Sequence, residues 1–244
     1  MDEKLQGGKM VKSITLLKKE IRDFVNSGQF YILAVGFLIV MGWAFVDRLF
    51  IDNLSSMNTV FALIPYIIMV FIPLITMGSF ASEKENGTIE FLLTMPFKDW
   101  DIIIGKFAAM SFIYILIIAS TFMYPLTLVL LGNPDMGQII SGYFGVTLLG
   151  MAFISAGLFA SSITNNQISG FIIGFIITLV SIFVGRLAHF FPGIVGSIFN
   201  FLSIGPHYNT MVNGLVDTKN ILYFVSYIVL FLFLIKISLE SRKW

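Results

Sequence analysis

Six stretches of this chain run for 17 to 25 residues with no charged side chain except close to an end, and this pattern constrains the fold more than any motif does. They are Gln29 to Val46, Thr59 to Phe80, Phe107 to Leu131, Gln138 to Ser161, Ser169 to Leu187 and Ile221 to Ile237. A helix of about 20 apolar residues crosses a bilayer, so each run has the length of one span. The sequence therefore predicts an all-α, polytopic membrane protein with six transmembrane helices. Composition agrees, with 57% hydrophobic and 12% charged residues and 26 Phe, against about a quarter charged in a soluble domain. Disorder requires low hydrophobicity, and nucleic-acid binding requires a basic surface that a formal net charge of +1 does not supply. No nucleic-acid partner is expected. Six spans in 244 residues leave no room for a large soluble domain. The absence of cysteine excludes disulfides and thiolate chemistry. The first 28 residues are polar and basic and lead into a run long enough to stay in the membrane, so no cleavable signal is expected.

Basic residues orient the spans. Of the 15 Lys and Arg, twelve lie in the N-terminal segment, the loop after the second run and the C-terminal end, leaving Arg48, Arg186 and Lys219 for the opposite side. Loops rich in Lys and Arg stay in the cytoplasm, which places both termini and loop 81–101 there and segment 189–219 outside. Met10 to Ser27 sets Lys12, Lys18, Lys19 and Arg22 beside Ile14, Leu17, Ile21, Phe24 and Val25, the pattern of an amphipathic helix lying on the membrane surface. The expected organisation is a cytoplasmic N-terminus with this helix over 1–28 and a six-helix domain over 29–244.

None of the spans carries an ionisable residue at mid-depth, where proton- and ion-coupled transporters place theirs. Lys106, Arg186 and Lys236 fall near span ends, from which their stems are expected to snorkel to water. Energy for any transport must then enter from outside the membrane. The two histidines, His189 and His207, form no metal-ligand spacing, and His207 reads as a loop residue at the outer interface. No catalytic, cofactor or metal residue is expected, and an intramembrane enzyme is disfavoured. Gly105-Lys106 is followed by Phe107 and lacks the preceding glycine of a phosphate loop, so ATP hydrolysis would belong to another chain. Gly170 and Gly174 form a GxxxG pair, and Ala152, Ala156 and Ala160 line one face of the fourth run, both devices for close helix packing.

The loop after the second run holds the strongest motif. Ser82 and Glu85 have capping-box spacing, Asn86-Gly87 marks a turn, and Thr88 can cap a short helix that Pro96 ends. Ile89, Leu92 and Leu93 give that helix an apolar face able to lie in a partner's groove. The segment resembles the signature of permease subunits of type-2 ABC transporters, Glu-x-x-x-Gly-Thr-x-Glu-x-Leu-Leu-x-x-Pro, matched by Glu83, Gly87, Thr88, Glu90, Leu92, Leu93 and Pro96. At a finer level the chain is similar to gliding-motility-type and nitrous-oxide/copper-type ABC permeases.

The resemblance implies a connecting helix at Met10 to Ser27, a coupling helix within loop 81–101, and a reentrant outer segment over 189–219. Pro192, Gly196, Gly205 and Pro206 are expected to keep that last segment non-helical. It assigns Glu83, Glu85, Gly87, Thr88, Glu90, Leu92, Leu93 and Pro96 to coupling with an ABC ATPase subunit, present in two copies and binding ATP and Mg. A second permease chain, identical or related, membrane lipid and an extracytoplasmic accessory protein complete the implied partners. Thr76, Ser79, Gly170, Gly174 and Phe175 are the candidates for a translocation path or dimer interface. The implied function is an ATP-driven exporter in the cytoplasmic membrane. The alternative is a scaffold of the same fold that transmits conformational change to an extracytoplasmic partner without transport.

Overall fold

The computed structural model describes residues 18–51, 57–88, 99–132, 134–188, 190–191 and 193–241. Glu90, Leu92, Leu93 and Pro96, with the first part of the amphipathic segment, lie outside the described residues. All regular structure among the described residues is helical, and six helices have membrane-crossing length and composition. The chain is an all-α, multi-pass membrane protein. Span one is Gly28–Ile51. Span two consists of Asn58–Thr76 and Gly78–Glu85, separated at Met77. Span three consists of Asp99–Ser120 and Met123–Leu131. Spans four, five and six are Met136–Ile163, Gln167–Leu187 and Thr218–Glu240. Residues 18–25 are also helical and lead into span one.

The three last spans begin at side-chain caps that the apolar runs did not mark. Asp135 accepts from the Gly137 and Gln138 amides, Asn166 from Ser169, and Asp217 from Lys219. Each satisfies an amide that the first helical turn leaves without a partner.

Span four is the centre of the bundle. It packs against spans two, three, five and six and the second helix of the connection between spans five and six, Ile204–Val212. Its most apolar window is 72% buried, against 17% for spans five and six. Small residues make this possible, because each receives a bulky side chain from a neighbour. A Cβ on Gly142 would lie 2.3 Å from the Phe61 ring, one on Gly150 would lie 2.1 Å from the Tyr114 ring, and one on Gly157 would lie 2.1 Å from Thr76 Oγ1. Tyr114 completes its fit by donating its hydroxyl to the Val146 carbonyl at 2.9 Å.

Prolines impose the second packing rule. A proline inside a helix lacks the amide that would pair with the carbonyl four residues earlier, and hydrocarbon offers no water in its place. Span two contains Pro65 and Pro73. The carbonyl that Pro65 releases, on Phe61, accepts the Tyr208 hydroxyl at 2.7 Å. The one that Pro73 releases, on Met69, accepts Thr178 Oγ1 at 3.1 Å. The same pairing recurs at two helix junctions: Tyr143 donates to Thr121, four residues before Pro125, and Tyr223 donates to Leu202, four before Pro206.

Segment 189–219 differs from expectation. It contains two short helices, Ile194–Leu202 and Ile204–Val212, where the glycines and prolines had suggested a non-helical stretch. Gly193, at φ 83°, precedes the first helix. Ser203 caps the second by accepting from Gly205, and Pro206 falls in its first turn, where a missing amide costs no helical bond.

Two stability outcomes follow. Tyr208→Phe is expected to destabilise the folded chain in detergent by about 1–3 kcal/mol, the usual cost of a buried unsatisfied carbonyl. In a Pro65→Ala background the same change should cost much less, because the restored amide takes over the Phe61 carbonyl; thermal unfolding of the four chains in the cycle measures this. Gly150→Ala is expected to cost about 1–3 kcal/mol through overpacking against Tyr114, in the same assay.

Candidate functional site at the base of the 89–98 loop

The break in span two is built from side chains of span four. Past Met77 the chain starts a new helix whose first amides need acceptors. Ser161 of span four supplies them: its hydroxyl oxygen accepts from Phe80 N and Ala81 N, both at 3.0 Å, and its proton goes to the Met77 carbonyl at 2.7 Å. Next to it, the Ser162 carbonyl accepts from Lys84 Nζ and, at 3.1 Å, from Ser238 Oγ of span six. The capping-box reading of Ser82 and Glu85 is corrected here. Ser82 lies inside Gly78–Glu85 and bonds back to the Gly78 carbonyl, so the cap comes from a distant span.

The other end of this helix explains half of the loop signature. Gly87 adopts φ 69°, a left-handed conformation nearly free of cost only for glycine. Thr88 N donates to the Glu83 carbonyl at 2.8 Å and Gly87 N to Lys84 at 3.1 Å, the paired bonds of a Schellman C-cap. Thr88 Oγ1 adds a third contact to the same Glu83 carbonyl at 3.2 Å. Gly87 and Thr88 thus stop the helix, and Glu85 is left exposed on its last turn.

Glu83 has a second role through its side chain. Span three starts at Asp99, eight residues before the expected Phe107, and so carries Lys106 inside the bundle at 1% exposure. The expectation that Lys106 snorkels to water is overturned. Its ammonium donates to Glu83 Oε1 at 2.8 Å, Glu20 Oε1 at 2.9 Å and the Ser79 carbonyl at 2.8 Å, using all three of its donors. It also lies 5.2 Å from the centre of the Phe80 ring. One lysine therefore ties the helical segment 18–25, the end of span two and the start of span three into one unit. Sequence reasoning missed Glu20 and Lys106. The available signal was a lysine just before an apolar run, with a carboxylate on each of the two neighbouring segments.

The other candidates surround the break. Thr76 is fully buried, bonding the Ile72 carbonyl at 3.0 Å and facing Gly157. A Cβ on Gly170 would lie 3.1 Å from the Met77 carbonyl, and one on Gly174 would lie 3.3 Å from Pro73. The GxxxG pair thus lets span five approach this chain's own span two. Phe175 is partly buried against the core. Ser79 lines a cleft of about 450 Å³ beside Lys106.

At the opposite end, His207 is a helix residue and not the expected loop residue. Its Nδ1 is 2.8 Å from Asn220 Oδ1, its Nε2 is 3.2 Å from the Phe201 carbonyl, and its ring stacks on Tyr223 at 4.0 Å. Among the described residues no cluster of His, Asp and Glu could hold a metal ion.

Six helices of membrane-crossing length and composition, with an ion-paired helix end at Glu83 to Thr88, define a multi-pass membrane protein. The family model of the ABC-2 family transporter proteins matches residues 14–244, and the chain belongs to that family. The probable multidrug ABC transporter permease YbhR of Escherichia coli (strain K12) is 28% identical over 121 residues, which are 50% of this chain and 32% of that protein. The inner membrane transport permease YhhJ of Escherichia coli (strain K12) is 32% identical over 108 residues, 44% of this chain and 28% of that protein. The matches cover about a third of the length of these relatives.

Ser161→Ala removes the hydroxyl that accepts from the Phe80 and Ala81 amides and donates to the Met77 carbonyl, and is expected to destabilise the chain by about 1–3 kcal/mol. Ser161→Thr, which keeps the hydroxyl, should recover most of the loss in thermal unfolding.

Proposed function

We propose that the chain is the membrane-spanning permease subunit of an ATP-driven exporter, moved by two copies of a separate ABC ATPase subunit that bind ATP and Mg. It acts in the cytoplasmic membrane, paired with a second permease chain, identical or related, with both termini and the 89–98 loop on the cytoplasmic side. The observation that carries this reading is the buried Lys106 with its two carboxylates at the root of that loop. A force applied to the loop arrives at the Gly87 stop and passes along a rigid helix. Through Lys106 it reaches span three and the 18–25 helix without a flexible joint between.

Closure of the ATPase pair on ATP draws the coupling segments of the two permeases together. In this chain the end of span two, Gly78–Glu85, moves with the loop and carries the rest of the span with it, because Met77 keeps helical dihedrals of φ −55° and ψ −37°. Gly170 and Gly174 line the seam along which spans two and five shift, Thr76 holds span two against Gly157 of span four, and Ser79 and Phe175 lie on the path that opens or on the dimer face. The absence of charge along these spans favours an amphipathic or lipid-linked substrate over a free ion. The multidrug label of the relative YbhR is consistent with such a substrate class.

The test is co-purification with the cognate ATPase and reconstitution in vesicles. Lys106→Met leaves two partly buried carboxylates without their cation, a loss of at most about 3–5 kcal/mol, the cost for a fully buried pair. ATPase association should persist, while stimulation and transport fall at least about tenfold. Glu90→Lys, on the loop itself, should abolish association. Wild-type transport by Lys106→Met, or normal assembly of Glu90→Lys, would overturn the coupling reading.

A further inference from the structure

Lys106 leaves part of its own site unfilled. Its three donors are spent on Glu20 Oε1, Glu83 Oε1 and the Ser79 carbonyl. Glu83 Oε2 and Ser79 Oγ are both buried and have no hydrogen-bond partner. Ser79 is 7% exposed, so its hydroxyl cannot simply turn to bulk water. Both residues line the same open cleft of about 450 Å³. A buried carboxylate oxygen without a donor costs more than a neutral group would, and native structures leave few such atoms without a reason.

The charge around the cleft states what would fit. Its walls carry three carboxylates, on Glu20, Asp23 and Glu83, against the ammonium groups of Lys19 and Lys106. The unmet atoms are a carboxylate oxygen, which can only accept, and a hydroxyl, which can accept as well as donate. The missing piece is therefore a cationic hydrogen-bond donor. The cleft also has an apolar side, formed by Phe24, Ile75 and Met110, between the 18–25 helix and spans two and three.

We propose that this cleft is a binding site for a primary ammonium group, seated on Glu83 Oε2 and Ser79 Oγ beside the Lys106 ion pair. A primary ammonium brings three N–H donors and one positive charge, which matches both unmet atoms and offsets the excess carboxylate. The same chemistry is carried by an ethanolamine phospholipid headgroup and by a soluble amine. The site does not depend on what the protein transports, and its occupancy is read by binding alone.

The experiment is native mass spectrometry of the delipidated full chain in detergent, titrated with phosphatidylethanolamine and, in parallel, with phosphatidylcholine of the same acyl chains. The quaternary headgroup has equal charge but no N–H donor. Retention of phosphatidylethanolamine is expected to exceed that of phosphatidylcholine by about tenfold, the worth of one charge-assisted hydrogen bond. Ser79→Ala and Glu83→Gln should each erase most of that preference. Ser79→Ala keeps the backbone carbonyl that Lys106 uses, so its result stands even if Glu83→Gln folds poorly. Competition by millimolar phosphoethanolamine would assign the site to a soluble amine, and its failure to compete would assign it to the lipid. Equal retention of the two lipids with no displacement by phosphoethanolamine, or a preference that survives Ser79→Ala, overturns the proposal.

Discussion

A carbonyl without its amide is the constraint on which this bundle depends. Pro65 and Pro73 remove two bonds from span two, in a medium that supplies no water to replace them. The chain answers with hydroxyls from elsewhere, Tyr208 to Phe61 and Thr178 to Met69. Those two bonds fix span two against span five and against the connection between spans five and six. What looks in isolation like a weakened helix is thus the element whose partners are most sharply specified. The glycines of span four work in the same direction, since a close fit at Gly142, Gly150 and Gly157 admits one neighbour and register at each level.

The loop end obeys the same rule with charges in place of carbonyls. A lysine taken out of water is tolerated when its donors are all used and opposite charge is at hand, and Lys106 meets both conditions. Its position links three helices that the apolar packing alone would leave free to slide. The Ser161 cap and the Gly87 stop bound the short helix between the break and the loop.

Much of this was legible in the sequence. Six apolar runs marked six spans, because length and hydrophobicity act locally and need no partner to be read. The turn at Asn86-Gly87 was visible for the same reason, as it depends on one glycine, whereas Thr88, which reads as the cap of a following helix, bonds back to Glu83 and closes the preceding one. Asp99 and Asp101 fit the start of the third helix, as the structure has them, but the burial of Lys106 was not legible, because its partners Glu20 and Glu83 lie on two other helices. Ser82 was taken as a cap from spacing, whereas the real cap lies on span four, 80 or so residues away. The two short helices of segment 189–219 were obscured because Gly196, Gly205 and Pro206 look like breakers, although each falls in the first turn of a helix. In each case the decisive partner was distant in sequence, or the position within a turn mattered more than the residue type.

The hydroxyls that complete span two are synthesised long after it. Thr178 follows Met69 by 109 residues and Tyr208 follows Phe61 by 147. While the chain is being made, span two enters the bilayer with two carbonyls that nothing yet made can satisfy. The early spans therefore have a waiting period, with span two held near polar surroundings or water at the insertion site until span five and the segment after it arrive. Maturation of this protein is in that sense a single late event: the first half of the bundle becomes stable only when residues near its far end have been delivered.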